Sequence, residues 1–243
     1  MSVPTSFETH LESFENETQV AAQFLYAYMT VQYAASTSKA LHAQLNKTPR
    51  FWNTHAAACQ TAAYISLGRI FDTTSKFNIH NLLDQFEKNL NEFSTAALGY
   101  RKKEAFRWNP KGLSKYLSSA YVPTKADVDR FRKRVSVYNE IYQRAIKPAR
   151  HKVLAHREKH GKGEIGALFS KGTVGELWRL VTFLRVLYRA LWGLYNNGHK
   201  PGLRLPRYSV RSMYLAPAHG GSPIENVVAD TKILMTILQK LNT

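Results

Sequence analysis

One cysteine in 243 residues, Cys59, leaves nothing for it to pair with, so an internal disulfide and a cysteine-based zinc cluster are both excluded. A reducing compartment fits that usage. No uninterrupted apolar run reaches the length of about 18 residues that a membrane span needs. The opening Met1-Ser2-Val3-Pro4-Thr5 has no basic leader ahead of an apolar segment. The expectation is a soluble, cytoplasmic protein with no membrane association. Acid is also scarce: 17 Asp and Glu stand against 34 Lys and Arg, a net charge of +17.

That charge is unevenly spread. Residues 1–38 hold four glutamates and no lysine or arginine, whereas residues 101–160 hold seventeen basic side chains and five acidic ones, a net of +12. Such a field concentrates a polyanion, and the expected partner is nucleic acid. A solvated basic surface, or a face that meets an acidic protein, is the alternative. With 44% hydrophobic and 12% aromatic residues the chain can bury a core, which argues against disorder.

The apolar spacing is helical almost throughout. A first helix is predicted over about 18–46, with Val20, Phe24, Ala27, Val31, Ala34, Ala35, Leu41 and Leu45 on one face. Pro49 restarts the pattern, and a second helix runs over 50–72. Asn78 is placed to cap a third, with Leu82, Leu83, Phe86 and Leu90 as its buried stripe. Residues 99–123 read as irregular and basic, interrupted by Trp108, Pro110, Gly112 and Pro123. Thr124, with Asp127 three residues on, opens a fourth helix over about 125–146 that buries Val128, Phe131, Val135, Tyr138 and Tyr142.

Pro148 then demands a kink or a fresh start before Arg150. The most apolar helix covers 173–197 and is closed by Gly198. Residues 199–222 are rich in proline and glycine, and Arg204, Arg207 and Arg211 alternate there with Leu203, Leu205, Tyr208 and Tyr214, as in an extended arm. A last helix over about 222–241 offers Val227, Ile233, Leu234, Ile237 and Leu241. No repeat, heptad run or low-complexity tract appears. The reading is therefore all-α: a bundle of about five to seven helices over 1–198, with an extended basic arm and terminal helix, 199–243, packing on it.

Within the basic region, Arg150-His151-Lys152-Val153-Leu154-Ala155-His156 places a guanidinium and an imidazole six positions apart. The first grips phosphate through paired charge-assisted hydrogen bonds, and the second titrates near neutrality. On one straight helix the two differ by about 240°, so a break, the long arginine stem or a second subunit must bring them together.

An arginine, a polar residue directly after it and a later histidine resemble the signature of the HEPN superfamily. Leu67-Gly68-Arg69-Ile70-Phe71-Asp72 is similar to a helix end in the AbiU-type abortive-infection branch. The resemblance covers about residues 15–195. It implies a metal-independent endoribonuclease of phage defence or a toxin-antitoxin pair, working as a homodimer on RNA without a cofactor. It also leaves open a cognate antitoxin or a nucleotidyltransferase-type partner. Arg150 and His156 are then catalytic, with Arg150 stabilising phosphate charge and His156 moving protons. His151 supports the site, and Arg144, Lys147, Lys152 and Arg157 contact nucleic acid.

Each feature has a plainer reading. Arg150 is equally suited to pairing with a carboxylate such as Glu140 or Asp72, and Arg69 with Asp72 at helical spacing. His156 and His160 lack a third metal ligand and the zinc-protease pattern between them, so no metal site is expected. Trp178, Tyr188, Trp192 and Tyr195 read as core rather than as a stacking platform. The second functional class is a catalytically silent helical module that binds nucleic acid or an acidic partner.

Overall fold

The computed structural model describes residues 6–107, 109–151, 172–207, 209–215 and 222–240. Among these the regular structure is helical, and the chain is all-α. In order come α1 (Ser6–Thr37), α2 (Lys39–Leu45), α3 (Pro49–Phe71), α4 (Ile79–Lys88), a 3-10 turn (Leu90–Phe93), α5 (Thr95–Lys102), α6 (Pro110–Ser118) and α7 (Lys125–Ile141). A π-helical stretch (Tyr142–Ile146) leads into the short turn α8 (Lys147–Ala149), followed by α9 (Val174–Asn197), α10 (Val210–Leu215) and α11 (Pro223–Lys240).

Two compact units share these elements, and neither is contiguous in sequence. One comprises Met1–Asn16, Arg69–Tyr142 and Thr182–Leu205, and the other Glu17–Gly68, Gln143–Val181 and Pro206–Thr243. Helices α1, α3 and α9 therefore each contribute residues to both.

The first unit is built on aromatic packing. Phe7 meets Phe93 and Tyr195 with ring centroids 5.0 and 5.2 Å apart, and Phe86 meets Phe93 and Phe131 at 4.8 and 5.8 Å. Such edge and tilted pairs add directionality to apolar burial. The expected stripe of α7 is buried from Val128 to Tyr142, and Tyr138 stacks on Phe183 at 3.8 Å. Arg132 bridges α7 to α4 through Asp84 and Glu87, each at 2.7 Å.

Capping sets where these helices begin. Asn78 Oδ1 accepts from the backbone N–H groups of His80 and Asn81, both at 2.9 Å, while its amide donates to the Thr73 and Ser75 carbonyls. At α7 the Thr124 N–H donates to Asp127 Oδ2 at 2.9 Å, completing the capping box foreseen from sequence. Tyr121 OH also donates to Asp127, and Arg130 lies 3.0 Å from it. Burial alone pushes the Asp127 carboxyl up, but the bonds from Thr124 and Tyr121 and the Arg130 charge outweigh it and hold the group below its usual value. Gly198 ends α9 at φ +61°, and a Cβ there would stand 2.7 Å from Leu98 Cδ2, so both conformation and space require glycine.

The second unit has its own core of Val31, Ala34, Leu41, Leu45 and Met235, with Trp52, Tyr214 and Leu238 packed against it. Met235 and Leu238 bring α11 to this core, and Tyr214 brings α10, its ring 4.8 Å from that of Tyr33.

Several expectations change. α1 begins at Ser6 rather than near residue 18, and its buried line runs Phe7, Leu11, Phe14, Thr18, Ala22, Leu25 and Met29. That line leaves Val20 and Phe24 on the exposed side. The helix breaks at Ser38, whose hydroxyl accepts from Leu41 N–H to start α2. Residues 99–123 are not irregular: α5 and α6 occupy much of them, with Pro110 in the first turn of α6, where its missing N–H costs nothing. The arm holds the helix α10, and Tyr208 lies outside the described residues. α11 buries Ile224, Val228 and Met235, whereas Ile233, Leu234 and Ile237 are exposed. Trp178 and Tyr195 are buried, but Trp192 is exposed.

Candidate functional site

The segment that ends in Arg150 is irregular for a reason legible in one residue. In an α-helix the N–H of residue 148 would donate to the carbonyl of Arg144, and Pro148 has none. The chain takes the wider π register over Tyr142–Ile146, makes the turn Lys147–Ala149, and returns to π geometry at Arg150 and His151. Such insertions in a helix alter where side chains point and recur at functional sites. Helical geometry is unbroken from Lys125 through His151, and no side chain caps the turn that holds Pro148, so the proline changes the register of a helix rather than starting a new one.

The π stretch is fastened on both sides. Tyr142, at the end of the first unit, is fully buried, stacks on Phe71 at 5.0 Å and donates its hydroxyl to Asp72 Oδ1 at 2.8 Å. Burial raises its pKa well above the usual phenol range. Within the second unit, Ala145, Ile146 and Ala149 are buried, and a Cβ on Gly172 would stand 3.1 Å from both the Ala145 carbonyl oxygen and Tyr64 Oη. Arg144 is exposed and pairs with Glu176. Glu176 is itself the capping-box acid of α9, accepting from the Thr173 N–H at 3.0 Å, and that bond together with Arg144 holds its carboxyl below the usual range.

Arg150 is half-buried and lies across Gly68 of α3. A Cβ at Gly68 would fall 2.4 Å from Arg150 Cδ, 2.5 Å from Nε and 2.7 Å from Cζ, closer than atoms can approach. The arginine stem thus occupies the volume that any other residue at 68 would fill. Burial lowers the guanidinium pKa from its ordinary value, the expected direction for a cation drawn partly out of water.

Of the residues proposed from sequence, Arg144, Lys147, Arg150 and His151 lie on this one segment, with His151 exposed and Lys147 half-buried. Lys152, His156 and Arg157 lie outside the described residues, as does His160. Sequence reasoning noted Gly68 only as part of a resembling stretch and missed its part in seating Arg150. The available signal was a glycine in a helix interior, where it costs about 1 kcal/mol against alanine and so needs a reason. Among the described residues no group of three or more His, Cys, Asp or Glu is arranged to hold a metal ion. No helix among them is long and apolar enough to cross a membrane.

The decisive comparison is with protein families: the AbiU2 family of HEPN proteins matches residues 4–211. The chain belongs to the HEPN AbiU2 family. The matched span takes in Gly68, the π stretch and Arg150, and it stops within α10, so α11 lies beyond it. Neither the curated proteins nor the solved structures contain a match. Family membership makes this an abortive-infection-related protein of HEPN type.

Proposed function

We propose that this HEPN AbiU2 protein is a metal-independent endoribonuclease, an effector of phage defence or of a toxin-antitoxin pair. The observation that carries the reading is the seating of Arg150: a helix interior gives up a side chain at Gly68, and another helix gives up its regular register, around a single half-buried guanidinium. In this reading Arg150 holds the scissile phosphate and stabilises charge growing on its oxygens. His156 accepts the proton of the ribose 2′-hydroxyl as the 2′-oxygen bonds to phosphorus. The bond from phosphorus to the 5′-oxygen breaks, and a second histidine, His156 of another copy, protonates that oxygen. The products are a 2′,3′-cyclic phosphate and a free 5′-hydroxyl. No step requires a metal or cofactor.

The test is RNA cleavage by purified protein in chelator. Wild type cleaves, and His156→Ala loses cleavage by about a hundredfold or more while keeping its fold and RNA affinity. Strict dependence on magnesium contradicts the mechanism. RNA binding without cleavage of any RNA, in the presence or absence of an activating stimulus, leaves a binding module instead.

A further inference from the structure

Helix α11 carries apolar residues on two opposite faces, and only one of them is covered. Ile224, Val228 and Met235 are buried, with Leu238 packed against the core of the second unit. Ile233, Leu234 and Ile237 are 59, 46 and 52% exposed. At 3.6 residues per turn Ile233 and Ile237 lie about 160° around the helix from Met235. Among the described residues no other run of five holds three large apolar side chains this exposed. A helix that is apolar on opposite faces is built for a partner on each. The family match ends at residue 211, so the likeness to AbiU2 does not account for this face.

The charges that flank the outer face say what covers it. Asp230 stands three residues before Ile233 and Lys240 three residues after Ile237, both exposed and on the same side of the helix. The series 230, 233, 237, 240 has the three-four-three spacing of a helix–helix seam. It reads the same from either end, with the sign of the charge reversed. Two copies laid antiparallel about a two-fold axis level with residue 235 therefore set each Ile233 against Ile237 of the other copy. The same axis sets each Asp230 against Lys240 of the other copy, at both ends of the seam. A parallel pair would oppose like charges at both ends, and the helix dipoles also favour the antiparallel arrangement. Net charge agrees, since α11 holds two acidic and two basic residues and is neutral in a chain of +17. Copies that meet here avoid the repulsion that the basic regions impose.

We propose that the outer face of α11 pairs antiparallel with the same face of a second copy, Ile233, Leu234 and Ile237 forming its apolar centre and Asp230 with Lys240 fixing its register. The contact uses neither Arg150 nor His156, so it stands apart from the ribonuclease reading. It is a second isologous interface, and a chain that also pairs through its signature segment assembles beyond a dimer.

Sedimentation equilibrium of the full chain, at concentrations up to about 1 mM, tests it. Wild type shows a concentration-dependent doubling of mass. Ile237→Asp weakens that step by about a hundredfold or more, because each pairing would enclose two unpaired carboxylates. Asp230→Lys and Lys240→Glu are exposed substitutions that leave the fold intact. Each sets like charges together at both ends and weakens pairing by about tenfold. Mixed in equal amounts, these two variants pair with one another as wild type does, because the mixed pair has opposite charges at both ends. Arg150→Ala leaves the step in place, and self-association through any other surface persists in all of these chains. A step indifferent to Ile237→Asp, single reversals that pair as well as wild type, or a mixture that stays apart overturns the proposal. So does the absence of any step over that range, which leaves the face to a different protein.

Discussion

Gly68 separates two things that a single substitution usually confounds. Alanine is the better helix former by about 1 kcal/mol, so Gly68→Ala favours α3 itself. Its methyl group, however, would displace the Arg150 stem, which is a side chain and can swing away. The expected outcome is a protein whose thermal midpoint stays within a few degrees of wild type and whose RNA cleavage falls by about a hundredfold, the cost of an angstrom-scale misplacement of a catalytic group. Cleavage rate and unfolding, measured on the same sample, check it. Unchanged turnover would make Gly68 a packing glycine and nothing more. Arg144 teaches the complementary lesson, since a side chain proposed for RNA is paired with Glu176. An exposed pair of this kind is weak, and phosphate can compete for it.

Helix starts and the C-terminal arm carry the predictions at the next scale. Asp127 closes the α7 capping box and is 5% exposed, so Asp127→Asn is expected to cost about 1 kcal/mol at neutral pH. Its folded pKa lies below the unfolded one, so its stabilisation is complete above the ordinary carboxylate value of about 4. It fades as pH falls through the lower folded value. Unfolding followed against pH should show wild type and variant separated at pH 7 and converging in acid; a gap that widens in acid contradicts this. In the arm, Leu203 and Leu205 are half-buried while Arg204, Arg207 and Arg211 are exposed, as the alternation anticipated. Tyr214 docks on the core that also receives α11, which favours a clasp. If the arginines also follow RNA, replacing all three with glutamine lowers the salt slope of RNA binding and spares stability. An unaltered slope leaves the clasp alone.

For the molecule as a whole, the charge of +17 bears on assembly. The proposed chemistry needs two histidines, hence two copies meeting through their signature segments, and isologous symmetry would bring like-charged regions together. A homodimer is therefore expected to tighten as salt rises, because screening removes repulsion while apolar contacts remain. Sedimentation at micromolar concentration across a salt series checks it. Monomer at every salt concentration sinks the dimer.

Local physics is what the sequence by itself determined. Asn78, Thr124 with Asp127, Pro49 and Gly198 placed helix ends correctly, because a cap or a turn depends on residues within about four positions of one another. The stripes of α4, α7 and α9 were legible because each is periodic over its own length. The family signature was legible too, as a pattern of residue types. Only the tertiary structure decided which face of α1 and α11 is buried, since both helices carry apolar residues on more than one face, and Phe24 and Ile233 fall on the exposed side. It also decided that the chain divides into two units of interleaved segments, and that a glycine eighty-two positions before Arg150 holds the space for its side chain. Contacts of that separation leave no local trace: the sequence records the missing side chain at 68 and the missing N–H at 148, and only folding shows that these two absences bear on one guanidinium.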